Sequence, residues 1–226
     1  MKIQKSVTGF TLVEMAIVLA IVALLLAGLL PSISSQMEQQ RRAETRKQLD
    51  EALTALVGYA TTQTPPKLPC PAKPNLATGT TGAGVADCTI SMGVLPWVTL
   101  GTNETDAWGR RFTYAVATTG AFTTSFTLSS TGNLNVVNSS TGVCPGAGCV
   151  GSNIPAVIIS HGPNGFGAYT PQGNQMAASA DAGEQLNYTV GTKFVSQDTT
   201  PTFDDLVVWL SPNTLFNRMV SAGKLP

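Results

Sequence analysis

Few side chains in this 226-residue sequence could perform acid–base or nucleophilic chemistry. His161 is the only histidine, so a serine–histidine–aspartate triad would have to use it. Its neighbour Ser160 is poorly placed to be the nucleophile, because adjacent residues rarely face each other, and no G-x-S-x-G elbow is present. We therefore favour a structural role for His161 in a turn.

The glycine-rich run Ser160–Gly167 (SHGPNGFG) does not have the pattern of a nucleotide-binding loop. It lacks G-K-[ST], and its glycines are in the wrong order for a dinucleotide site. Lysine plus arginine and aspartate plus glutamate number 13 each, whereas nucleic-acid binders usually carry a basic stripe. The sequence therefore predicts neither an enzyme nor a nucleic-acid partner.

Four cysteines are candidates for covalent cross-linking: Cys70, Cys88, Cys144 and Cys149. An even number in an exported chain indicates two disulfides, although four cysteines allow three pairings. The spacings favour the two sequential pairs, Cys70 with Cys88 and Cys144 with Cys149. Neither spacing is the C-x-x-C of a zinc knuckle, so we favour disulfides over a metal site.

The N-terminus combines a short basic segment with a long apolar one. Residues 1–9 carry Lys2 and Lys5, and the run Phe10–Leu30 contains a single charge, Glu14. At about 1.5 Å per residue, a helix of this length spans about 31 Å, close to the thickness of a bilayer core. The basic residues predict a cytoplasmic N-terminus and export of the remainder.

Three interpretations of this segment compete. A cleaved secretory signal could use Ser32-Ile33-Ser34 as its site, but the apolar run is long for a signal and contains Glu14. A plain membrane anchor explains the length and leaves Glu14 unexplained, although a charge near the bilayer centre costs about 2.5–3.5 kcal/mol. The third interpretation is an anchor that is processed in front of the apolar run and that uses the carboxylate.

The third interpretation rests on a resemblance. Gly9-Phe10-Thr11-Leu12-Val13-Glu14 resembles the processing motif of type IV prepilins and type II secretion pseudopilins, and Pro31 lies where many type IV pilins carry a helix-bending proline. The resemblance implies that a membrane peptidase cuts between Gly9 and Phe10 and methylates the new amine. It also implies that Glu14 pairs with the Phe10 amine of a neighbouring subunit. Phe10 and Glu14 share a helix face, so a pair within one chain remains open.

Four segments would position these residues. We expect a leader at 1–9, a transmembrane and filament-core helix at 10–31, an amphipathic helix at 32–63, and a disulfide-bearing β-rich head at 64–226. Apolar residues at three- and four-residue spacing would pack the amphipathic helix on a sheet, before Pro65-Pro66 ends it: Leu49, Ala52, Leu53, Leu56, Val57 and Ala60. The resemblance implies an α+β, pilin-like fold, in which the long helix packs on an antiparallel sheet.

Residues 64–106 are expected to form a long loop, with Trp97 and Leu100 pointing into the core. Beyond it, alternating or apolar runs predict strands, with a hairpin at Thr119-Gly120 and a short helix over Asn213–Ala222. The predicted strands are Arg111–Ala117, Phe122–Leu128, Ile154–Ser160, Tyr188–Phe194 and Leu206–Leu210.

Two further phrases resemble major pseudopilins. Asp106-Ala107-Trp108-Gly109 resembles their D-x-W-G phrase, and Ser160–Gly167 followed by Asp204-Asp205 loosely resembles their C-terminal loop, which binds calcium in some members. The resemblance makes Asn164, Asp204 and Asp205 candidate calcium ligands, because calcium prefers several oxygen ligands. The loop is poor in acids, so we favour turn chemistry and predict no cofactor.

The expected function is that of a subunit of a type IV pilus or type II secretion pseudopilus. The resemblance implies a single-pass protein of the bacterial inner membrane with a periplasmic head, later incorporated into the filament. Its partners would be other subunits, the prepilin peptidase and methyltransferase, the inner-membrane assembly platform and membrane lipid. The alternatives are a minor tip subunit that binds a surface or a secreted protein, which the size of the head favours, and a membrane-anchored periplasmic enzyme.

Overall fold

The computed structural model describes residues 9–226, apart from the side chains of 26–33. Residues 1–8 of the predicted leader (1–9), which include Lys2 and Lys5, lie outside the described residues. The side chain of Pro31 also lies outside them. The chain divides into two compact units, Met1–Arg41 and Arg42–Pro226. Helix α1 (Leu12–Thr62) contributes its residues up to 41 to the first unit and the remainder to the second.

In the first unit, the described part of α1 exposes its apolar side chains. Leu12 is 90% exposed and Leu24 is 75% exposed, and the valines, isoleucines and leucines between them are also open. A continuous apolar surface of this kind marks a site of interaction. Over the part of the chain that the structure describes, no helix is both long and apolar enough to cross a membrane. The membrane span stays a prediction.

In the second unit, one stripe of α1 forms part of the main hydrophobic core. Leu49, Ala52, Leu56 and Ala60 are at most 1% exposed, and Leu53 and Val57 pack beside them. Full burial of each leucine contributes about 1.5–3 kcal/mol. The predicted stripe is confirmed, and α1 ends at Thr62, ahead of prolines that cannot continue it.

Two sheets complete the second unit. Besides α1, the elements are β1 (Met92–Val94), α2 (Trp97–Leu100), β2 (Thr113–Val116), β3 (Leu134–Val137), β4 (Cys149–Ile154), β5 (Ala156–Ser160), α3 (Ala182–Tyr188), β6 (Lys193–Val195), β7 (Leu206–Leu210) and α4 (Pro212–Ser221). The first sheet has the order β1-β2-β5-β7 and is antiparallel throughout. The second has the order β4-β3-β6 and pairs β3 with β6 in parallel. The α+β class, with a helix packed on mainly antiparallel sheets, is confirmed.

The predicted strand at Phe122–Leu128 and its hairpin are wrong. The N–H groups of Thr124 and Ser125 both donate to the carbonyl of Ala121, so the chain turns here. Phe122 and Phe126 are four residues apart, and their buried rings lie 5.4 Å from each other. The same residues that favour strands therefore form one turn that fills the core.

The predicted strand at Tyr188–Phe194 is wrong in its first half. Tyr188 ends α3, and the strand covers only Lys193–Val195. The side chain of Asp181 accepts the N–H groups of Gly183 and Glu184, which caps and starts this helix.

Residues 64–106 are mostly loop, as expected, interrupted by β1 and α2 and ordered around a buried cation. Arg111 has no exposed surface, and its Nε and Nη2 atoms lie 2.9 Å and 2.8 Å from Glu104 Oε1. Its Nη1 donates to the carbonyls of Pro74 and Leu76, and its Nη2 donates to that of Pro171. One guanidinium group therefore joins three separate segments.

The indole ring of Trp97 also packs against this guanidinium group. The centre of its ring lies 4.6 Å from the Arg111 guanidinium carbon, a cation–π contact. Gly84 has φ +69°, and a Cβ atom there would lie 2.3 Å from the indole, so glycine is required at this position. Trp97 is buried, as the sequence predicts.

Covalent and backbone links hold the same region. The structure joins Cys70 to Cys88 and Cys144 to Cys149, the two sequential pairs. Next to the first disulfide, Ala72 and Val94 exchange both backbone hydrogen bonds, at 2.9 Å and 3.0 Å. The segment that begins at Cys70 therefore lies along the outer edge of β1.

We predict that Arg111→Met lowers the free energy of unfolding by about 3–5 kcal/mol, because it leaves Glu104 and three carbonyl groups without their donor. Urea unfolding of the full chain in detergent, followed by tryptophan fluorescence, measures the loss. Arg46→Met removes an exposed arginine from the same unit and is expected to change the free energy by less than about 0.5 kcal/mol. Equal effects of the two substitutions would contradict the role of Arg111.

Candidate functional site

The start of α1 is a reciprocal capping box. Thr11 precedes the first helical residue, and its N–H and hydroxyl groups donate to Glu14 Oε2 at 2.8 Å and 2.9 Å. The N–H group of Glu14 donates back to Thr11 Oγ1 at 3.3 Å. Two orphan donors of the helix terminus are thereby satisfied, so Glu14 has a local partner within its own chain.

The bond between Gly9 and Phe10 lies just outside this cap. Phe10 is 82% exposed, and among the described residues other than its chain neighbours no atom lies within 4 Å of the position that a Cβ atom on Gly9 would take. The two residues lie close in sequence to the capped carboxylate. The sequence-predicted residues Gly9, Phe10 and Glu14 therefore form one short, accessible segment.

A second polar centre lies where the turn before β2 meets the end of β5. Asp106 Oδ1 accepts the N–H groups of Trp108 and Arg110, and its Oδ2 accepts the hydroxyl of Ser160 at 2.7 Å. The neighbouring Arg110 donates from Nη1 to the carbonyls of Gly162 and Pro163. The D-x-W-G phrase therefore anchors the glycine-rich loop that follows β5.

Three acidic side chains meet beside this loop, and we call Glu184, Asp204 and Asp205 the carboxylate cluster. Their nearest oxygens all lie within 4.8 Å of one another. Glu184 is fully buried in the first turn of α3, and the two aspartates directly precede β7. Gly162 must lack a side chain here, because a Cβ atom would lie 2.7 Å from Asp204 Oδ1.

Two oxygens of the carboxylate cluster are buried without any hydrogen-bond donor: Glu184 Oε2 and Asp204 Oδ1. Glu184 Oε1 accepts from the backbone N–H of Asp204 at 3.0 Å, which brings the two carboxyl groups together. Burial raises the pKa of Asp204 to about 6 against the lowering effect of the Asn164 N–H, and the charges of Glu184 and Asp205 raise it further. A buried carboxylate oxygen without a donor is stabilised by a proton or a nearby cation.

Of the predicted calcium candidates, Asp204 and Asp205 lie in the carboxylate cluster, and Asn164 lies beside it. The side-chain oxygen of Asn164 accepts the N–H of Phe166, and its Nδ2 donates to Glu184 Oε1. Asn164 therefore supports the carboxylate cluster, in which Glu184 is the third acidic side chain. Sequence reasoning missed Glu184 because it placed no helix there. Asp181 followed by Glu184 is a capping-box spacing that could have revealed α3.

His161 belongs to a buried chain of hydrogen bonds. Its Nε2 lies 2.8 Å from Thr113 Oγ1, and its Nδ1 lies 3.3 Å from Asp205 Oδ1. Asp205 Oδ2 in turn accepts from Asn187. This order resembles a catalytic triad, but His161 has no exposed surface and Thr113 is 4% exposed. A substrate has no access to these atoms, and the chain of bonds ties β2 and β5 to β7 and α3.

Comparison with known proteins bears on the N-terminal segment. The family described as the prokaryotic N-terminal methylation motif matches residues 4–30. The chain carries a prepilin-type cleavage and methylation signal. This signal includes Gly9, Phe10 and Glu14, and it supports a type IV pilin-like or pseudopilin-like precursor. No curated protein and no solved structure matches the chain.

The prepilin signal is typical of structural, pilin-type proteins, and it implies a peptidase and other subunits as partners in general terms. It ends well before the carboxylate cluster.

We predict that protonation of Asp204 stabilises the second unit. The pKa of an aspartate in an unfolded chain is about 3.9, so between pH 4 and pH 6 the folded protein holds a proton that the unfolded chain has released. The free energy of unfolding attributable to Asp204 therefore falls as pH rises from about 4 to about 6. The urea midpoints of the wild-type and Asp204→Asn proteins, measured in EDTA from pH 4 to pH 6, test this prediction.

Asp204→Asn removes the titrating group, so the urea midpoint of this variant should not show the decrease with rising pH that wild type shows. The difference between the two midpoints should therefore change from pH 4 to pH 6. The exposed Asp198→Asn is the matched control and should keep the wild-type profile. Parallel profiles for wild type and Asp204→Asn would show that Asp204 titrates alike in both states and would overturn the prediction.

Proposed function

We propose that this chain is the precursor of a type IV pilin or pseudopilin subunit, cut between Gly9 and Phe10, methylated at Phe10 and assembled through its N-terminal helix. The match of residues 4–30 to the prokaryotic N-terminal methylation motif carries this proposal. The exposure of Phe10 is consistent with access by a peptidase.

In this proposal, residues 10–31 span the bacterial inner membrane before assembly, with the leader in the cytoplasm and the head (64–226) in the periplasm. The exposed apolar side chains of α1 support it, because lipid or the helices of other subunits would cover them. The head acts as a structural module and not as an enzyme.

Glu14 has two roles in this proposal. In the single chain, it caps α1 through Thr11. In the filament, it pairs with the cationic Phe10 amine of a neighbouring subunit, because a carboxylate in apolar surroundings needs a partner. Methylation keeps the positive charge of the amine, so the pair survives processing.

Glu14→Ala is expected to abolish filaments while the chain is still cut and still accumulates in the membrane. Electron microscopy of sheared filaments and mass spectrometry of the membrane fraction measure the two effects. Thr11→Ala is the matched control: it removes the capping side chain but leaves the carboxylate, so filaments should persist. If Thr11→Ala abolishes filaments as fully as Glu14→Ala, capping alone explains Glu14, and the intermolecular pair is contradicted.

A second candidate function is cation binding at the carboxylate cluster, which the unpartnered oxygens Glu184 Oε2 and Asp204 Oδ1 favour. We propose that calcium takes these oxygens, with the Asp205 carboxylate as a third protein ligand. A bound cation would neutralise the facing carboxylates and fix the glycine-rich loop against α3.

The Asp204→Asn and Asp198→Asn proteins also test this second function. At pH 7, above the pKa of Asp204, calcium should raise the melting temperature of wild type and Asp198→Asn but not of Asp204→Asn. An equal response of all three proteins, or no response in wild type, would contradict calcium binding at the carboxylate cluster.

A further inference from the structure

Three of the four sheet edges in the second unit are protected. Ala72 covers the edge at β1 through two backbone hydrogen bonds. Asn187 covers the edge at β6, because its side chain both accepts from the N–H and donates to the carbonyl of Val195. The edge at β4 is irregular, with two register shifts in its pairing with β3 and a disulfide at Cys149. Such devices prevent edge-to-edge association.

The edge at β7 has none of these devices. Its five residues, Leu206–Leu210 (LVVWL), pair with β5 in continuous register and include no proline or charge. The first four are half-buried. Across the described residues, no backbone hydrogen bond reaches the outer side of this strand. A regular, apolar, unpaired edge is a template for another strand.

The alternation of hydrogen bonds along β5 shows which backbone N–H and C=O groups of β7 have no partner strand. The N–H of Ala117 donates to the carbonyl of Pro155, so residues 155, 157 and 159 bond to β2 and the even-numbered residues of β5 bond to β7. In β7, Leu206, Val208 and Leu210 therefore face β5. Val207 and Trp209 point their N–H and C=O groups away from the sheet.

We propose that β7 pairs antiparallel with β7 of a second copy of this chain, about a twofold axis at Val208. The free groups of Val207 and Trp209 are symmetric about Val208. Val207 of one copy would exchange two hydrogen bonds with Trp209 of the other, and the reciprocal pair would add two more. The edge is thus complementary to itself, as an isologous contact requires.

The charges at the two ends of β7 favour this occupant. A groove of about 430 Å³ lies at the start of β7, where the exposed carboxylates of Asp50 and Asp198 outnumber Arg46. A second groove of about 520 Å³ lies at the end of β7, and Arg218 is its only charged lining residue among those described. Antiparallel pairing brings the basic end of one copy to the acidic end of the other.

This contact is distinct from filament assembly. A helical filament repeats heterologous contacts, whereas an isologous contact joins two copies and closes. The pairing uses β7 and its flanking grooves, and it does not require Glu14 or the exposed apolar part of α1. It therefore goes beyond the proposed function and provides head-to-head pairing of two subunits.

Val208→Cys in the full chain tests the proposal. At the twofold axis the two Val208 residues form a non-hydrogen-bonded pair with Cα atoms about 4.5 Å apart, within the range of a disulfide. All four native cysteines are in disulfides, so the new thiol is the free one. Mild oxidation of the detergent-solubilised protein should give a disulfide-linked dimer. Val190→Cys, at a site that is 73% exposed and lies outside β7, is the control and should stay monomeric.

Two further variants make the outcome decisive. Val207→Pro, added to Val208→Cys, removes one outward N–H group that folding does not use, and it should suppress the dimer. A cooperative urea transition of this variant checks that the second unit still folds. Glu14→Ala, added to Val208→Cys, should leave the dimer unchanged even if filaments are lost. Cross-linking no faster than in Val190→Cys, a dimer that survives Val207→Pro, a dimer lost with Glu14→Ala, or a cross-link to another protein would each overturn the proposal.

Discussion

The buried guanidinium group of Arg111 is the constraint on which the second unit depends. It is satisfied only while Glu104, the carbonyls of residues 74, 76 and 171, and the ring of Trp97 all hold their places. A buried charge that loses its partners costs several kcal/mol, so these segments are ordered together or not at all. Arg110, the preceding residue, ties down the loop after β5. The two arginines thus position the disulfide-closed segment and the glycine-rich loop against β2.

Several polar side chains of the second unit are buried in its interior. His161, Glu184 and Asn187 have no exposed surface, and their hydrogen bonds connect strands and helices instead of facing a cleft. Such a network rigidifies a domain when it is fully satisfied. Among the described residues of this network, Glu184 Oε2 and Asp204 Oδ1 lack a donor. Two apolar surfaces of the described residues are open to partners: Leu12–Leu25 of α1 in the first unit and the edge of β7 in the second.

Local patterns in the sequence were sufficient for part of this account. The N-terminal signal, the stripe from Leu49 to Ala60, strand β7 and helix α4 are each encoded by neighbouring residues, and all four could be predicted. Phe122–Leu128 was misread because threonine and phenylalanine favour strands, whereas the rings of Phe122 and Phe126 pack one turn apart. The partners of His161 lie 44 and 48 residues away, and those of Arg111 lie up to 60 residues away, so spacing could not reveal them.

The central claim is that the chain is processed as a prepilin in front of its apolar helix, and the N-terminal peptide of the mature protein tests it most directly. Mass spectrometry of the membrane fraction should find a chain that begins at Phe10 and carries one added methyl group. A mature chain that begins at Ser35 would instead indicate an ordinary secretory signal, and an uncut Met1 would indicate a plain anchor. Either result would contradict the account.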